Sequence, residues 1–446
     1  MNAATPPLLK DKRLPILYNF LEFRQKPLQF WLDAGKVAPV VRVRFGPSIE
    51  YWVVTDPEWM QHVLQRKAKT YIRERRMSKT NNMGAPELMF NTPNWEEWLW
   101  RRRLMQPAFH RKQIAQFADT MVAETVRLVD EWHLGQTIEL QHVMKTLTMR
   151  IIGKTMFSAD VTETDLLQHA FEVTSRASYK KLSAIARLPD WMPTKLNRET
   201  QRANELRLGK LRQIVEDRFA SGQPQGDLLD MLISNHLEED GRRFSAEQLI
   251  YEMSGIVFAG HDTTALTLTW LFYLLSQHED VMDRVSAEIE TVLGNRLPTL
   301  DDLDKLTTIT HVIQETLRLY PPVYVTIREA DEEDNFGGYH IPKGTSLLLN
   351  IRGLHRDPTY WHDPETFNPD RFAKANSANR HKSAFIPFIT GPRKCIGDNF
   401  AMMEMQLVAA TLLQRVRLRY AGKTAPIEKA GFVMESCGVT MQIGSV

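Results

Sequence analysis

The chain is short of cysteine, with only Cys395 and Cys437 among its 446 residues. Two thiols cannot form the disulfide framework of a small secreted scaffold, and they fit a reducing compartment. Long apolar runs are also missing. The longest, such as ALTLTWLFYLLS at 265–276, fall short of the roughly 18 residues of a spanning helix. The N-terminal MNAATPPLLKDKRLP has no apolar core of the signal-peptide kind. These absences predict a cytoplasmic protein with no membrane span. Charge of one sign is lacking too: the net charge is +2, too small to argue for a nucleic acid partner. There is no internal repeat, low-complexity tract or clear linker.

What is present is ordinary globular material, 43% hydrophobic and 25% charged, long enough to bury a large core. VVRVRF alternates Val41, Val43 and Phe45 against Arg42 and Arg44. With GPS as turn and IEYWVV as return, residues 37–55 read as a hairpin. Asp56 followed by Pro57 marks a helix start. From about 94 to 320 the pattern is helical, broken at RLPDWMP and SGQPQG. Beyond 320 come loops and short strands, and a last helix opens near Asp398. The expected fold is mainly α with a minor β part, a single unit over residues 1–446 with about the first 15 residues flexible.

Four stretches stand out chemically. FITGPRKCIGDNF places Cys395 in a Gly-Pro turn ahead of a helix, where backbone N–H groups, Arg393 and Lys394 favour a thiolate. Gly391 and Gly397 suit a tight turn approached by a flat ligand. No second Cys or nearby His completes a zinc set, so one thiolate with one metal suggests a haem. Taken alone, Cys395 reads first as a buried structural cysteine, and Cys437 reads as that still more strongly. In SGIVFAGHDTTALTLTWLFYLL, an apolar helix carries His261, Asp262, Thr263 and Thr264 beside the small Ala259 and Gly260. Buried polar groups there need partners, unless the patch faces water. ETLRLYPP spaces Glu315 and Arg318 on one helix face, with Arg371 of FNPDRF as a second cation. NWEEWLWRRRL puts Trp98 and Arg102 on one face, where Arg suits a carboxylate and a solvated basic face is the plainer alternative.

Together these stretches resemble the cytochrome P-450 family. Phe388, Gly391, Arg393, Cys395 and Gly397 fit its cysteine loop, and Ala259 to Thr264 its oxygen-activation helix. Glu315 and Arg318 fit its Glu-x-x-Arg pair, Phe367 to Phe372 the loop supplying the third member, and Trp98 and Arg102 its Trp-x-x-x-Arg. The order runs from about 40 to 440.

The resemblance implies a triangular helical domain with haem b between two helices. It makes Cys395 the metal ligand. Trp98, Arg102, Arg328 and Arg393 become propionate holders, with Ala259, Gly260, Phe388 and Gly397 also against the cofactor. Thr263 and Asp262 would deliver protons during oxygen activation. Family substrate regions fall on Met83–Phe90, Phe258–Thr263, Pro322–Thr326 and Phe432–Met434. They are mostly apolar here, so a hydrophobic substrate is expected: fatty-acid-like, terpenoid or steroid. Animal fatty-acid ω-hydroxylases share the GHDTT pattern, but many have Glu where this chain has Ala259, so no ester to haem is expected. The chain carries no flavin domain after Cys395, so NAD(P)H electrons should arrive through a separate ferredoxin or flavodoxin type of partner. Arg101–Arg103, Arg111, Lys112 and Lys394 are its expected docking charges. A monomer is expected. Other readings are a peroxygenase or isomerase of the same haem-thiolate type, or a non-enzymatic haem sensor. The acid–threonine pair argues against both.

Overall fold

The computed structural model describes residues 4–9, 15–46, 49–80, 88–158, 164–184 and 189–446. Its centre is a 32-residue helix, Ala246–Gln277. The helix starts where Ser245 and Gln248 close a reciprocal capping box, and no proline interrupts it. Leu266, Leu268, Leu271 and Phe272 are completely buried. Each such burial contributes roughly 1.5–3 kcal/mol before entropy is counted. Around this helix pack Leu140–Phe157, Lys195–Ser221, Thr307–Leu319 and Asp398–Arg415. The helix Lys195–Ser221 stops at Gly222, whose left-handed φ of 59° meets the break expected at SGQPQG.

The β part lies to one side. Five strands run in the order Val40–Gly46, Ile49–Val54, Ser346–Leu349, Thr326–Ala330, Tyr71–Arg73. The first two form the expected antiparallel hairpin, with Val41, Val43 and Phe45 buried and Arg44 exposed. Its turn at 47–48 lies outside the described residues. Asp56 accepts from Trp59 N at 2.9 Å, capping the helix that opens at Pro57. The expected flexible N-terminus is tied down in part. Leu9 is buried, and residues 7–9 exchange backbone hydrogen bonds with Arg42 at 2.8 Å. Residues 1–3 and 10–14 lie outside the described residues.

One buried ion cluster fixes the approach to the cysteine. Glu315 and Arg318 are fully buried, with Arg318 Nε and Nη2 each donating to the carboxylate at 2.7 Å. Arg371 Nε adds a donor at 3.3 Å and Asn368 N another at 2.9 Å. The expected triad therefore forms, and it ties the Thr307–Leu319 helix to the loop that precedes the cysteine.

Candidate active site

The cysteine loop is shaped by its neighbours. Cys395 N donates to Phe388 O at 2.9 Å and Lys394 N to Gly391 O at 3.0 Å, closing two turns. Gly391 has φ of 77°, and a Cβ there would sit 1.8 Å from Leu64 O, so only glycine fits. Ile389, a β-branched residue, is held at φ of 60°, a strained conformation of the kind kept at working sites. Gly397 differs from expectation. Its φ of −95° is open to any residue, and its contribution is the N–H that it donates to the Cys395 sulfur.

The Cys395 side chain is exposed, yet burial is the largest influence on its thiol and pushes its pKa up. Both hold if the sulfur borders a space enclosed by protein. The Gly397 N–H, Arg102 and Lys394 pull the other way without winning. A metal ion bound at the sulfur would favour the thiolate over the thiol. Arg393, expected to help, is turned away into the aromatic wall formed by Trp98 and Trp95.

That wall borders a cluster of cations. Arg328 is buried, and its strand pairs with Tyr71–Arg73 in a register that sets Arg73 opposite Arg328. Arg393 and Arg73 both press on Arg328 electrostatically, and burial lowers its pKa well below the usual value. Burial takes Arg393 down to about 9 and Arg73 to about 10. Among the described residues no carboxylate pairs with any of the three, and Arg73 Nε, Arg393 Nε and Arg393 Nη2 are buried without a partner. Stranded buried charges of this kind are costly. An anionic group with two carboxylates and an apolar ring system satisfies all three cations, and a haem is such a group. Arg73 was missed in the sequence. Its only signal is its strand position opposite Arg328, and TYIRERRM does not reveal that pairing.

The central helix supplies the opposite chemistry. Ala259 is exposed in mid-helix between buried turns. Thr263 Oγ1 donates back to Ala259 O at 2.7 Å, which leaves its lone pairs free to hold a water. Gly260 turns out to serve packing: a Cβ there would lie 3.0 Å from Ile152 Cδ1 of the neighbouring helix. Asp262 is buried, and its Oδ1 lies 3.1 Å from Lys145 Nζ but outside hydrogen-bonding alignment. Lys145, itself buried, also meets the half-exposed Glu172 at 3.0 Å. His261 is buried with neither ring nitrogen partnered, and burial lowers its pKa to about 4, so it is neutral. An apolar roof is formed by Phe258, with its ring centroid 5.5 Å from Phe432 and 6.4 Å from Phe171. Of the substrate segment expected at Met83–Phe90, residues 83–87 lie outside the described residues, while Leu88 and Met89 are buried.

Not every expected residue joins this arrangement. Trp98 stacks on Arg393 with the guanidinium 4.8 Å from its ring centroid. Arg102 points to the cysteine loop instead of the arginine cluster, donating to Lys394 O at 3.0 Å. Phe388 is partly buried against the main core. Arg101 is not a docking charge: it is buried between Glu97 at 2.5 Å and Glu252 at 2.6 Å. Arg103, Arg111 and Lys394 are exposed but engaged with Glu239, Asp304 and Asp398. Among the described residues no group of His, Cys, Asp or Glu side chains is arranged to hold a metal ion by itself. No helix there is long and apolar enough to cross a membrane.

A thiol in a glycine-shaped loop, a cationic cradle and a polar break in a central helix define a haem-thiolate protein. Comparison with known proteins agrees. The cytochrome P450 family model matches residues 6–442. Cyclooctat-9-en-7-ol 5-monooxygenase of Streptomyces melanosporofaciens is 33% identical over 91% of this chain and 88% of its own. Pentalenene oxygenase of Streptomyces avermitilis is 28% identical over 91% and 90%. The crystal structure of the cytochrome P450DA heme domain superposes with a TM-score of 0.90, covering 100% of this chain and 98% of that one at 22% identity. The chain belongs to the cytochrome P450 family of monooxygenases.

Proposed function

We propose that this protein inserts one oxygen atom from O2 into a hydrophobic small molecule, using NAD(P)H electrons passed on by a separate ferredoxin or flavodoxin type of partner. The observation that carries the reading is the set of three arginines, Arg328 buried and Arg73 and Arg393 partly buried, that no carboxylate among the described residues answers, beside an accessible cysteine. Cys395 would hold the haem iron. Arg73, Arg328 and Arg393, backed by Trp98, would hold the propionates. When bound, the haem supplies the oxygen chemistry.

The chain's own residues would do the rest. Phe258, Phe432 and Leu88 exclude water and seat an apolar substrate. Thr263, oriented by Ala259 O, holds the water that passes on a proton. Asp262 is buried, and the Lys145 ammonium, held between it and the half-exposed Glu172, favours its carboxylate form. This acid–threonine arrangement supports reductive oxygen activation over a peroxide-driven reaction or a carrier role. Relatives named for cyclooctatin and pentalenene oxidation favour a terpenoid-like or similarly apolar substrate. On the cysteine side, Lys112 remains as a docking charge, joined by Arg103, Arg111 and Lys394, each already paired with a carboxylate. The reading describes a cytoplasmic monomer with one haem domain.

The test is spectroscopic. The reduced, CO-bound protein should show the strongly red-shifted Soret band of thiolate ligation. Cys395→Ser should lose it and Cys437→Ser keep it. Arg73→Gln should release haem faster to an apo-acceptor protein without losing the band. Loss of the band in Cys437→Ser alone would move the ligand and overturn the assignment.

A further inference from the structure

Glu252 takes no part in holding haem or handling protons, yet it is a carboxylate only 2% exposed in the middle of the fold. Its place on the central helix gives it a use. Glu252, Gly255, Ala259 and Thr263 are spaced three or four residues apart, so they share one stripe of the helix Ala246–Gln277. The last two belong to the candidate site. The first two, about two turns and one turn before Ala259, are covered by the segment 88–91.

That segment first folds on itself. The Asn91 and Thr92 N–H groups donate to Leu88 O at 3.1 and 3.0 Å, and Leu88 N donates to Asn91 Oδ1 at 2.8 Å. The turn offers nothing to the Met89 N–H, and a buried N–H needs an acceptor. Both Glu252 oxygens supply it, at 3.0 and 3.2 Å. The Phe90 ring lies on the helix backbone beside it: a Cβ on Gly255 would stand 3.1 Å from Phe90 Cε1. Leu88 and Met89 are buried, whereas Phe90 keeps an open side, and Met89 and Phe90 pack in the apolar cluster that includes Phe258. Arg101 Nη1 meets Glu252 at 2.6 Å and is itself fixed by Glu97. Arg393 Nη1 donates to Thr92 O at 3.2 Å, which joins the end of the turn to the cysteine loop. A structural pair with Arg101 needs one carboxylate oxygen. Here both also serve an amide from a segment that brings no charge of its own.

We infer that Glu252 is a positioning residue for this monooxygenase: its carboxylate fixes the turn 88–91 on the central helix as a roof, and that roof bounds the space in which a molecule can stand beside Ala259 and Thr263. The inference rests on the monooxygenase reading and adds a residue that touches neither haem nor substrate. Glu252 acts through Met89 and Phe90, and Arg101 keeps it ionised and in place.

The experiment titrates two iron ligands, imidazole and 4-phenylimidazole, into the ferric holoprotein while the Soret shift is followed. They coordinate alike and differ by a phenyl ring that has to stand under the roof. Glu252→Leu and Glu252→Gln are each combined with Arg101→Met, so that neither variant strands a buried charge and the fold is kept. The two then differ in one respect: glutamine keeps an acceptor for the Met89 N–H and leucine does not. In the leucine variant the Met89 amide should exchange with deuterium roughly tenfold faster than in the glutamine variant. The leucine variant should also bind 4-phenylimidazole roughly tenfold more weakly, the effect of losing roughly 50 Å² of apolar contact, with imidazole unchanged. Gly255→Ala favours the helix while pushing the Phe90 ring outward, so it should weaken 4-phenylimidazole severalfold and spare imidazole. Equal Met89 exchange in the two Glu252 variants, or equal 4-phenylimidazole affinity, would overturn the inference and leave Glu252 a structural partner of Arg101. So would a Gly255→Ala variant that binds both ligands as the wild type does. Each of these leaves the monooxygenase reading standing, because that reading fails only if the red-shifted CO band does not depend on Cys395.

Discussion

Glu315→Gln keeps the shape of the side chain and removes its charge, and the structure sets the size of the effect. The carboxylate receives Arg318 Nε and Nη2 at 2.7 Å, Asn368 N at 2.9 Å and Arg371 Nε at 3.3 Å. A glutamine oxygen can keep two of these donors. Its amide nitrogen then faces the others as a donor against a donor. Arg318 is left with the carbonyls of His355, Pro364 and Thr366, which solvate it in part. Breaking a buried pair costs roughly 3–5 kcal/mol, and those carbonyls place Glu315→Gln near the lower end, about 3 kcal/mol. Glu315→Ala, which also opens a cavity, belongs near the upper end, about 5 kcal/mol. Urea unfolding followed by tryptophan fluorescence reads this, because Trp361 stacks on Arg318 with the guanidinium 5.1 Å from its ring centroid. In Glu315→Gln/Arg318→Met both charges are gone, and an apolar replacement of a buried pair is close to neutral. The double variant should therefore recover part of the loss. A loss below about 1 kcal/mol in Glu315→Gln, with an unchanged m value, would refute the reasoning and leave the cluster energetically idle.

Three further outcomes concern Glu252, the basic face and Thr263. Burial pushes Glu252 up to about 7 from 4.5, although Arg101 and Met89 N oppose it. Its folded-state pKa is raised, so its contribution to stability is present below about pH 4.5 and lost as pH rises toward 7. Glu252→Gln should flatten the stability–pH curve in that window, and an unchanged curve counts against the assignment. Lys112→Glu should slow reduction by an acidic ferredoxin and weaken its salt dependence while stability holds. Arg101→Glu should instead destabilise the fold through Glu97 and Glu252, and the reverse pattern would put the docking face elsewhere. Thr263→Ala should leave haem and substrate spectra intact but lower product formed per NAD(P)H consumed, with hydrogen peroxide released. Unchanged coupling would remove Thr263 from the proton path and reopen the peroxide-driven alternative.

What the sequence shows about this molecule is what local pattern and spacing can carry. The hairpin at 40–54, the cap at Asp56, the central helix and the start at Asp398 all rest on short-range rules, and they appear where expected. The Glu315–Arg318 pair is legible because three residues separate its members on one helix. Arg73 escapes for the opposite reason. Its meaning depends on a strand pairing with Arg328 across 255 positions, which periodicity does not report. Arg101 misleads because Arg-Arg-Arg looks like a solvated run. Only the packing of its helix against Glu252 shows that the first member points inward. Gly260 and Gly397 each also answer to a local need that the motif does not show: close helix packing against Ile152 and an N–H given to the Cys395 sulfur.

The buried cations divide according to what satisfies them, and that division separates scaffold from site. Arg318 has Glu315 on two donors and backbone carbonyls on the third, so no ligand is needed to hold it. Arg101 is bracketed by Glu97 and Glu252. Lys145 is bracketed by Asp262 and Glu172, one of them half exposed, so this group reaches from the central helix toward solvent. Arg73, Arg328 and Arg393 are different: burial lowers the pKa of each, and no carboxylate among the described residues answers them. A fold does not gather three desolvated like charges, one of them fully buried, without compensation. The first pattern reads as architecture, the second as a charged link between the central helix and the surface, and the third as a place prepared for an anion. Only the third stands beside the cysteine loop, through Arg393, two residues before Cys395. The conclusion that this chain binds haem therefore rests on the energetics of its own side chains as well as on its kinship.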